Sequence, residues 1–198
     1  MVNPLPYTLP DFAIFQDDWE DYRFFTWQPD KLYIVIGTSN KPDYSLNTDN
    51  VLIDAVPVLK RPSGGEAVIL SPNTLVISTT IYDDKFNSPV KYFNTANKKI
   101  IYLLEQQGVK NLNIKGISDI AIGDKKISGS SIYRRLKKVF YHAVLNVSES
   151  TELMEKYLAH PHKEPVYRKS RNHKDFVTSL LAEGYNIEIQ ELAGQLSK

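Results

Sequence analysis

The sequence predicts one α+β domain, in which helices flank a mixed, largely antiparallel β-sheet. Short β-branched or aromatic runs fill the first half of the chain, each bounded by Pro, Gly, Asn or Asp. One clear helical stretch follows, and strand-like runs resume after it. A length of 198 residues suits a single core, so residues 1–198 are expected to form one domain with no room for a further C-terminal domain.

The strands of the first half are predicted at residues 22–27, 32–36, 56–59, 66–70 and 75–80. Between Val90 and Gly108 the apolar residues recur at steps of three and four, which predicts a helix that ends at the glycine. Further strands are predicted at residues 112–114, 117–122, 126–127 and 139–147, with a tight turn at residues 123–124.

The C-terminal part of the chain predicts helices joined by one long loop. A helix capped by Ser148 or Ser150 is expected to run to Pro161. Residues 160–172 are polar, basic and interrupted by proline, which indicates a crossing loop. Two further helices are predicted: an apolar stripe at residues 176–181 that ends at Gly184, and a short helix within residues 187–196.

The composition excludes several classes of function. With 24 Lys and Arg against 23 Asp and Glu, the chain has almost no net charge that would attract nucleic acid or an anionic membrane. The absence of cysteine excludes a cysteine nucleophile and thiolate metal sites. No signal peptide or spanning segment is recognisable, so a cytoplasmic protein is expected. His160, His162 and His173 are not expected to form a metal site.

The segment from Lys60 to Val68 can be interpreted in two ways. Gly64 and Gly65 allow backbone amides to approach an anion, and Arg61 offers a planar cation for a phosphate. A plain hairpin turn explains the same residues.

A second segment, residues 123–131, contains a pair of lysines in a predicted strand. Alternation places Lys126 and Ser128 on one face and Lys125 and Ile127 on the other. A lysine that faces a cavity can neutralise an α-phosphate and polarise an acyl carbonyl. A solvated lysine pair beside a turn is the alternative.

Together these segments resemble a known family. The pattern has the order and spacing of the lipoate–protein ligase and octanoyltransferase catalytic domain, a relative of biotin–protein ligases, over residues 22–181. The matching residues are Trp27-Gln28-Pro29, Val35-Ile36-Gly37 with Asn40, Arg61 to Val68, Ser118-Asp119, Lys126 to Ser130, and His142.

The resemblance implies that ATP activates lipoate, or octanoate, as an acyl-adenylate, which a lysine of a lipoyl acceptor domain then attacks. It implies Lys126 as the catalytic residue that bridges the carbonyl and the α-phosphate, and Mg²⁺ to offset triphosphate charge. The implied substrate-binding residues are Asn40, Arg61, Ser63, Gly64, Gly65, Ser128, Gly129 and His142, and the implied nucleotide-binding residues are Ala67, Val68, Asp119 and Lys126.

The implied partner is the lipoyl domain of a 2-oxoacid dehydrogenase or a glycine cleavage protein, and a separate accessory chain could complete a ligase of this length. Departures from the family pattern leave alternatives open. Glu66 stands where the family has a third glycine, and Leu70-Ser71 stand where it has a His-Asp pair. A ligase, a non-catalytic relative that binds an acyl ligand or a lipoyl domain, and a cysteine-independent acyltransferase are therefore the three hypotheses, in decreasing order of support.

Overall fold

The strands form two β-sheets in a computed structural model, which describes residues 1–16, 24–85 and 87–197. The strands are β1 (Leu5–Pro6), β2 (Phe25–Trp27), β3 (Tyr33–Ile36), β4 (Val58–Lys60), β5 (Val68–Leu70), β6 (Thr74–Tyr82), β7 (Leu112–Lys115), β8 (Asp119–Ile122), β9 (Lys125–Arg135) and β10 (Lys138–Asn146). The helices are α1 (Phe12–Gln16), α2 (Pro42–Ser45), α3 (Thr48–Ile53), α4 (Pro89–Gln106), α5 (Glu152–Tyr157), α6 (His173–Phe176) and α7 (Ile189–Leu196), with a 3₁₀ turn at Val166–Arg168.

The larger sheet has six strands in the order β2-β6-β10-β9-β8-β7, and every neighbouring pair is antiparallel. Its long central strands, β6 and β10, pair from Thr74 with Asn146 to Tyr82 with Lys138. One apolar core includes buried residues of this sheet together with residues of α4 and α7. The helices thereby cover one face of the sheet, as the α+β prediction requires.

The smaller sheet has four strands in the order β1-β4-β3-β5. Strand β4 runs parallel to both β1 and β3, whereas β5 runs antiparallel to β3. A parallel pair needs a crossover connection, which α2 and α3 supply between β3 and β4. The predicted class, a mixed and largely antiparallel α+β fold, is confirmed, and its strands are divided between two sheets.

Helix α4 lies where the periodicity predicts it. Phe93, Ala96, Ile100 and Leu104 are buried on one face of the helix. Val90, which belongs to the predicted stripe, is instead 46% exposed in the first turn. The apolar stripe therefore contacts the core only from the second turn onward.

Two helix predictions near the C-terminus are wrong in their bounds. Helix α5 begins at Glu152, whose amide donates to the Ser150 hydroxyl, and it ends at Tyr157, before the predicted limit at Pro161. Its end is set by Leu158, which forms an isolated β-bridge with Leu46. Pairing with another strand thus replaces the last predicted turn of helix.

The predicted helical stripe at residues 176–181 is interrupted in the same way. Helix α6 ends at Phe176, and Val177 forms a parallel bridge with Lys126. The Thr178 amide also donates to the Lys126 carbonyl at 2.9 Å. Phe176 and Leu180 are buried, so the apolar spacing reflects burial without a continuous helix.

Most of the remaining predicted strands are found within a few residues of their expected bounds. The strand predicted at residues 126–127 is much longer, because β9 continues to Arg135 by pairing with β10. The start of the first predicted strand, at Tyr22 and Arg23, lies outside the described residues. Across the part of the chain that is described, no helix is both long and apolar enough to cross a bilayer.

Candidate active site

A pocket of about 810 Å³ lies where the two sheets meet, under the long C-terminal loop. Five apolar side chains from both sheets pack in one cluster and also line the pocket: Val35, Val68, Leu70, Val76 and Val144. Polar residues of β8 and β9 and the loop at residues 161–169 form the rest of its wall. A concave site of this size, mostly apolar with a few convergent polar groups, is typical of a small-molecule pocket.

Most of the residues predicted from the sequence line this pocket. They are Arg61, Gly65, Ala67, Val68, Asp119, Lys126, Ser128, Gly129 and His142. Three others, Asn40, Ser63 and Gly64, do not line it directly and contact residues that do.

Lys126 and Asp119 form an ion pair inside the pocket. The distance from Lys126 Nζ to Asp119 Oδ1 is 2.9 Å, and the two side chains are 29% and 8% exposed. The Tyr167 hydroxyl donates to the other carboxylate oxygen at 2.8 Å. Burial, followed by the charge of Asp119, raises the pKa of Tyr167, so its hydroxyl stays protonated and the carboxylate is fixed from both sides.

The position of the lysine depends on Gly129. A β-carbon at this residue would lie 2.5 Å from Lys126 Nζ and 2.7 Å from Cε. Such distances are far below van der Waals contact, so the ammonium group occupies the space that a side chain would need. The neighbouring Lys125 points elsewhere, with its side chain 52% exposed and its ammonium 3.8 Å from Glu183.

Arg61 holds the Ser-Gly-Gly turn from inside the protein. Its guanidinium donates to the carbonyls of Val35 at 3.1 Å, Gly64 at 2.8 and 3.2 Å, and Glu66 at 2.8 Å. Burial lowers its pKa to about 10, which leaves it charged at neutral pH. Gly65 has a φ of +93° and, because a β-carbon there would lie 3.0 Å from the Arg61 Nη2 atom, the turn requires glycine at this position.

Glu66, the residue that replaces the family's third glycine, is held by Asn40. The Asn40 amide group donates to Glu66 Oε2 at 3.0 Å and to Ser45 Oγ at 3.1 Å. Leu70, in place of the family histidine, is buried, and the Ser71 hydroxyl donates to Glu149. Each of the three residues that depart from the family pattern therefore has a defined environment: Glu66 and Ser71 are hydrogen-bonded, and Leu70 is buried.

His142 lies between two serines and a buried carboxylate. Its Nε2 atom is 2.7 Å from Ser63 Oγ and 2.6 Å from Ser131 Oγ, and its Nδ1 atom is 3.6 Å from Asp11 Oδ2. Burial lowers the pKa of His142, against the opposing effect of Asp11, so the imidazole is neutral at pH 7. His142 and Ser63 were predicted from the sequence, whereas their contacts with Ser131 and Asp11 were not.

Two residues of the site, Asp11 and Ser131, were given no role from the sequence, whereas Tyr167 lies in the loop that was predicted to cross the fold. Ser131 had a usable signal, since strand alternation places it on the same face of β9 as Gly129. Asp11 had none, because contacts across the fold bring it to His142.

His160 and His173 each lie near a different carboxylate. His160 lies 3.3 Å from Glu164, and His173 lies 3.8 Å from Glu155. Within the described ranges, no group of three or more His, Asp or Glu side chains is arranged to hold a metal ion.

The fold and the pocket define a catalytic domain of the lipoate ligase type. The chain belongs to the family described as the lipoyl protein ligase A/B catalytic domain, which matches residues 14–198. It is 30% identical over 176 residues to lipoate–protein ligase A of Psychrobacter cryohalolentis, an alignment that covers 84% of this chain and 48% of that protein. It is 30% identical over 122 residues to lipoate–protein ligase LplJ of Bacillus subtilis, covering 62% of this chain and 35% of that one. The chain thus spans about half or less of the length of these curated relatives.

Solved structures of low sequence identity share the fold. A bi-partite lipoate protein ligase of Thermoplasma acidophilum, studied with its E2 lipoyl domain, superimposes with a TM-score of 0.79 at 19% identity, over 94% of this chain and 73% of that one. A lipoate–protein ligase A bound with ATP gives a TM-score of 0.77 at 19% identity, over 94% and 74%. A T. acidophilum protein with bound lipoic acid gives 0.76 at 18% identity, over 94% and 75%.

Proposed function

We propose that this protein activates lipoate or octanoate with ATP as an acyl-adenylate and transfers the acyl group to a lysine of a lipoyl domain. The observation that carries the proposal is the Lys126–Asp119 pair at the wall of an apolar pocket. The family membership and the ATP-bound and lipoic acid-bound relatives support it.

Lys126 is the catalytic residue of this proposal. Its ammonium group places a positive charge beside the carbonyl oxygen and the α-phosphate, where negative charge develops as the acyl carboxylate attacks phosphorus. Asp119 holds the lysine, and Tyr167 holds Asp119, so the charge is positioned before the substrate arrives. A preorganised charge needs no reorganisation during the reaction.

The acyl chain binds against four side chains of the apolar cluster: Val35, Leu70, Val76 and Val144. Each buried methylene contributes about 0.8 kcal/mol, so an eight-carbon chain gains roughly 5 kcal/mol from leaving water. Ser128 and Gly129 on β9 line the same pocket and bind the carboxylate end, while Arg61 shapes the Ser-Gly-Gly turn that wraps it.

ATP is placed by Ala67, Val68 and Asp119, with Asn40 orienting Glu66 at the edge of the site. Magnesium is usually held by one or two carboxylates together with substrate phosphates. Asp119 and Glu66 each have a carboxylate on the pocket, but both Asp119 oxygens already have partners. The residues fit an ion that is held mainly by phosphate oxygens and water, and whose charge offsets that of the triphosphate.

The acceptor in this proposal is the lipoyl domain of a 2-oxoacid dehydrogenase or of a glycine cleavage protein, in the cytoplasm. The T. acidophilum relative, a bi-partite ligase studied with an E2 lipoyl domain, supports an acceptor of this kind and a separate accessory chain. The described domain would then provide the activation step, and the accessory chain would assist transfer.

The test is lipoate-dependent release of pyrophosphate from ATP in the presence of Mg²⁺. Wild-type protein should release it and Lys126→Ala should not, while Lys125→Ala, the exposed neighbour, should behave as the wild type. No release from the wild type, with or without an accessory chain, would refute the ligase proposal. Normal release by Lys126→Ala would refute the assignment of the lysine.

A second candidate, a binding protein without ligase activity, is favoured by one observation. The Glu66 carboxylate lines the pocket, where a triphosphate would meet a like charge. A thermal shift with lipoyl-AMP and no turnover would support this alternative.

A further inference from the structure

Two apolar clusters line the pocket on the two faces of β5, the edge strand of the smaller sheet. Leu70 belongs to the cluster that receives the acyl chain in the proposed function. Ala67 and Ile69 pack instead with a second cluster, which includes Met154 and Leu158. An acyl-adenylate has two apolar parts, the acyl chain and the adenine ring, and each requires an apolar surface. The second cluster therefore fits the adenine ring.

Two polar side chains lie where the pocket meets this second cluster. Glu66 directly precedes Ala67. Ser45 directly precedes Leu46, a buried member of the cluster, and both polar residues line the pocket. The Asn40 amide group joins them, since it donates to Glu66 Oε2 at 3.0 Å and to Ser45 Oγ at 3.1 Å. The three side chains thus form one polar group on the adenine side of the pocket.

This polar group has a defined capacity for further hydrogen bonds. The two donors of the Asn40 amide group are both used. An ionised carboxylate only accepts hydrogen bonds, and the bond from Asn40 fills one of the several acceptor sites of Glu66. The Ser45 hydroxyl accepts from Asn40 and keeps its own proton to donate. A ligand that satisfies both groups therefore donates to Glu66 and accepts from Ser45.

The positions of Asn40 and Glu66 are fixed by the close approach of two turns. A β-carbon at Gly37 would collide with the Gly65 carbonyl oxygen, so this approach requires glycine. The backbone amide of Asn40 donates to the Gly37 carbonyl at 3.0 Å. On the other turn, Arg61 Nη2 donates to the Glu66 carbonyl at 2.8 Å. The carboxylate is thus held in place before a ligand binds, which lowers the entropic cost of binding.

Among the parts of the proposed reactants, the ribose matches this polar group best. Its adjacent 2′- and 3′-hydroxyls can both donate to one carboxylate, and a hydroxyl oxygen also accepts. A phosphate has no donor and would be repelled by Glu66. The ammonium of an acceptor lysine cannot accept from Ser45. The edge of adenine presents a ring nitrogen lone pair beside its amino group, and this lone pair would face the carboxylate.

We propose that Glu66, positioned by Asn40, binds the ribose 2′- and 3′-hydroxyls of ATP and selects ribonucleotides over deoxyribonucleotides. The inference rests on the proposed use of ATP and deepens it. Lys126, where the α-phosphate binds in that proposal, belongs to β9 of the larger sheet, whereas Glu66 precedes β5 of the smaller sheet. The carboxylate that replaces the family's glycine therefore faces the sugar and not the triphosphate.

The first test is calorimetric titration of the full chain with ATP, 2′-deoxy-ATP and 3′-deoxy-ATP, in the presence of Mg²⁺ and without lipoate. Each deoxynucleotide should bind about 10-fold more weakly than ATP, because each loses a hydrogen bond to a charged acceptor. The comparison uses the wild type, so it does not depend on whether a substitution disturbs folding. Equal affinities for the three nucleotides, or no measurable binding of ATP, would overturn the inference.

A second test removes the charge of the carboxylate. Glu66→Gln should lower the affinity for ATP about 10-fold and reduce the preference for ATP over both deoxynucleotides. Asp43→Asn is the control and should keep both, because this exposed carboxylate lies on α2, the helix of Ser45, and outside the pocket wall. Tighter binding of ATP by Glu66→Gln would show that the carboxylate opposes the phosphates, which would overturn the inference and support the second candidate function.

Asn40 is a positioning residue, and its test is the same nucleotide preference. Asn40→Ala keeps the carboxylate but removes the hydrogen bond that holds it. The ratio of the affinities for ATP and 2′-deoxy-ATP should therefore fall toward that of Glu66→Gln. A structural disturbance of the pocket would weaken all three nucleotides equally, and that result would refute the positioning role.

The outcomes separate this inference from the ligase proposal, since nucleotide binding needs neither lipoate nor turnover. A preference for ATP in binding, without pyrophosphate release, would refute only the ligase. Equal pyrophosphate release from ATP and both deoxynucleotides would refute only the ribose contact. A Glu66→Gln protein that keeps the nucleotide preference but no longer transfers the acyl group to a lipoyl domain would place the carboxylate at the acceptor amine, and would also overturn the inference.

Discussion

Replacing Gly129 by alanine should displace Lys126, the proposed catalytic residue, while leaving the fold intact. The new β-carbon would lie 2.5 Å from Lys126 Nζ and 2.7 Å from its Cε. Ordinary contact between such atoms is about 3.5 Å or more, so the end of the lysine side chain must move by about 1 Å. The ion pair of 2.9 Å with Asp119 would be stretched or lost.

A displacement of about 1 Å at a reacting group costs on the order of 100-fold in rate. We therefore expect Gly129→Ala to release pyrophosphate from lipoate and ATP about 100-fold more slowly than the wild type. The melting temperature should change little, because the clash is with the flexible end of a side chain and alanine is tolerated in a strand interior better than glycine.

Gly194→Ala is the matched control. This glycine lies in α7 and has no atom within 4 Å of its would-be β-carbon, so the variant should keep the wild-type rate. An equal loss of activity in both variants would show that the effect does not arise at Lys126. A Gly129→Ala protein with the wild-type rate would refute the proposed role of the lysine's position.

Three further predictions concern substitutions of Tyr167, His173 and Arg61. Tyr167→Phe removes the hydrogen bond to Asp119 and should slow adenylation about 10-fold, measured by pyrophosphate release; an unchanged rate would exclude Tyr167 from positioning the carboxylate. Burial, aided by the charge of Arg168, lowers the pKa of His173 to about 4. As the pH falls below about 6.5, His173 becomes protonated in the unfolded chain but stays neutral in the folded protein down to about pH 4. Protonation therefore stabilises the unfolded chain, and the free energy of unfolding should fall by about 3 kcal/mol between pH 6.5 and 4. Urea unfolding should show a smaller fall for His173→Gln, and an equal fall would contradict the assignment. Arg61→Lys loses the guanidinium bonds to the turn and should lower the free energy of unfolding by about 3 kcal/mol in urea, whereas Lys60→Arg, on the exposed neighbour, should not.

Local patterns in the sequence were sufficient to predict much of the secondary structure. The three-and-four spacing of α4 and the turn at residues 123–124 depend on neighbouring residues, and the structure contains both. Alternation in β9 likewise separated Lys126 from Lys125. These features need no knowledge of distant contacts. The prediction that Lys126 shares a face with Ser128 is wrong, because a register shift opposite Ile120 and Ala121 places the lysine against Gly129 instead.

Features that depend on distant contacts were not predictable from one sequence. The division of the strands between two sheets is set by pairings such as β3 with β4, which no local pattern encodes. The apolar spacing at residues 176–181 predicted a helix, but a bridge from Val177 to Lys126 keeps the chain extended there. Asp11 reaches His142 in the same way, by the packing of α1 and its preceding turn against β6 and β10.

The two isolated bridges at Leu158 and Val177 also hold the loop that lines one side of the pocket. Leu158 pairs with Leu46 beside the smaller sheet, and Val177 pairs with Lys126 on the larger sheet. The intervening loop is thus held by a β-bridge at each end, and it lines the pocket between them. Its centre is held as well, because the Tyr167 hydroxyl donates to Asp119, the carboxylate that pairs with Lys126. The loop is thus joined to the lysine by two routes, through the backbone at Val177 and through the side chain of Asp119.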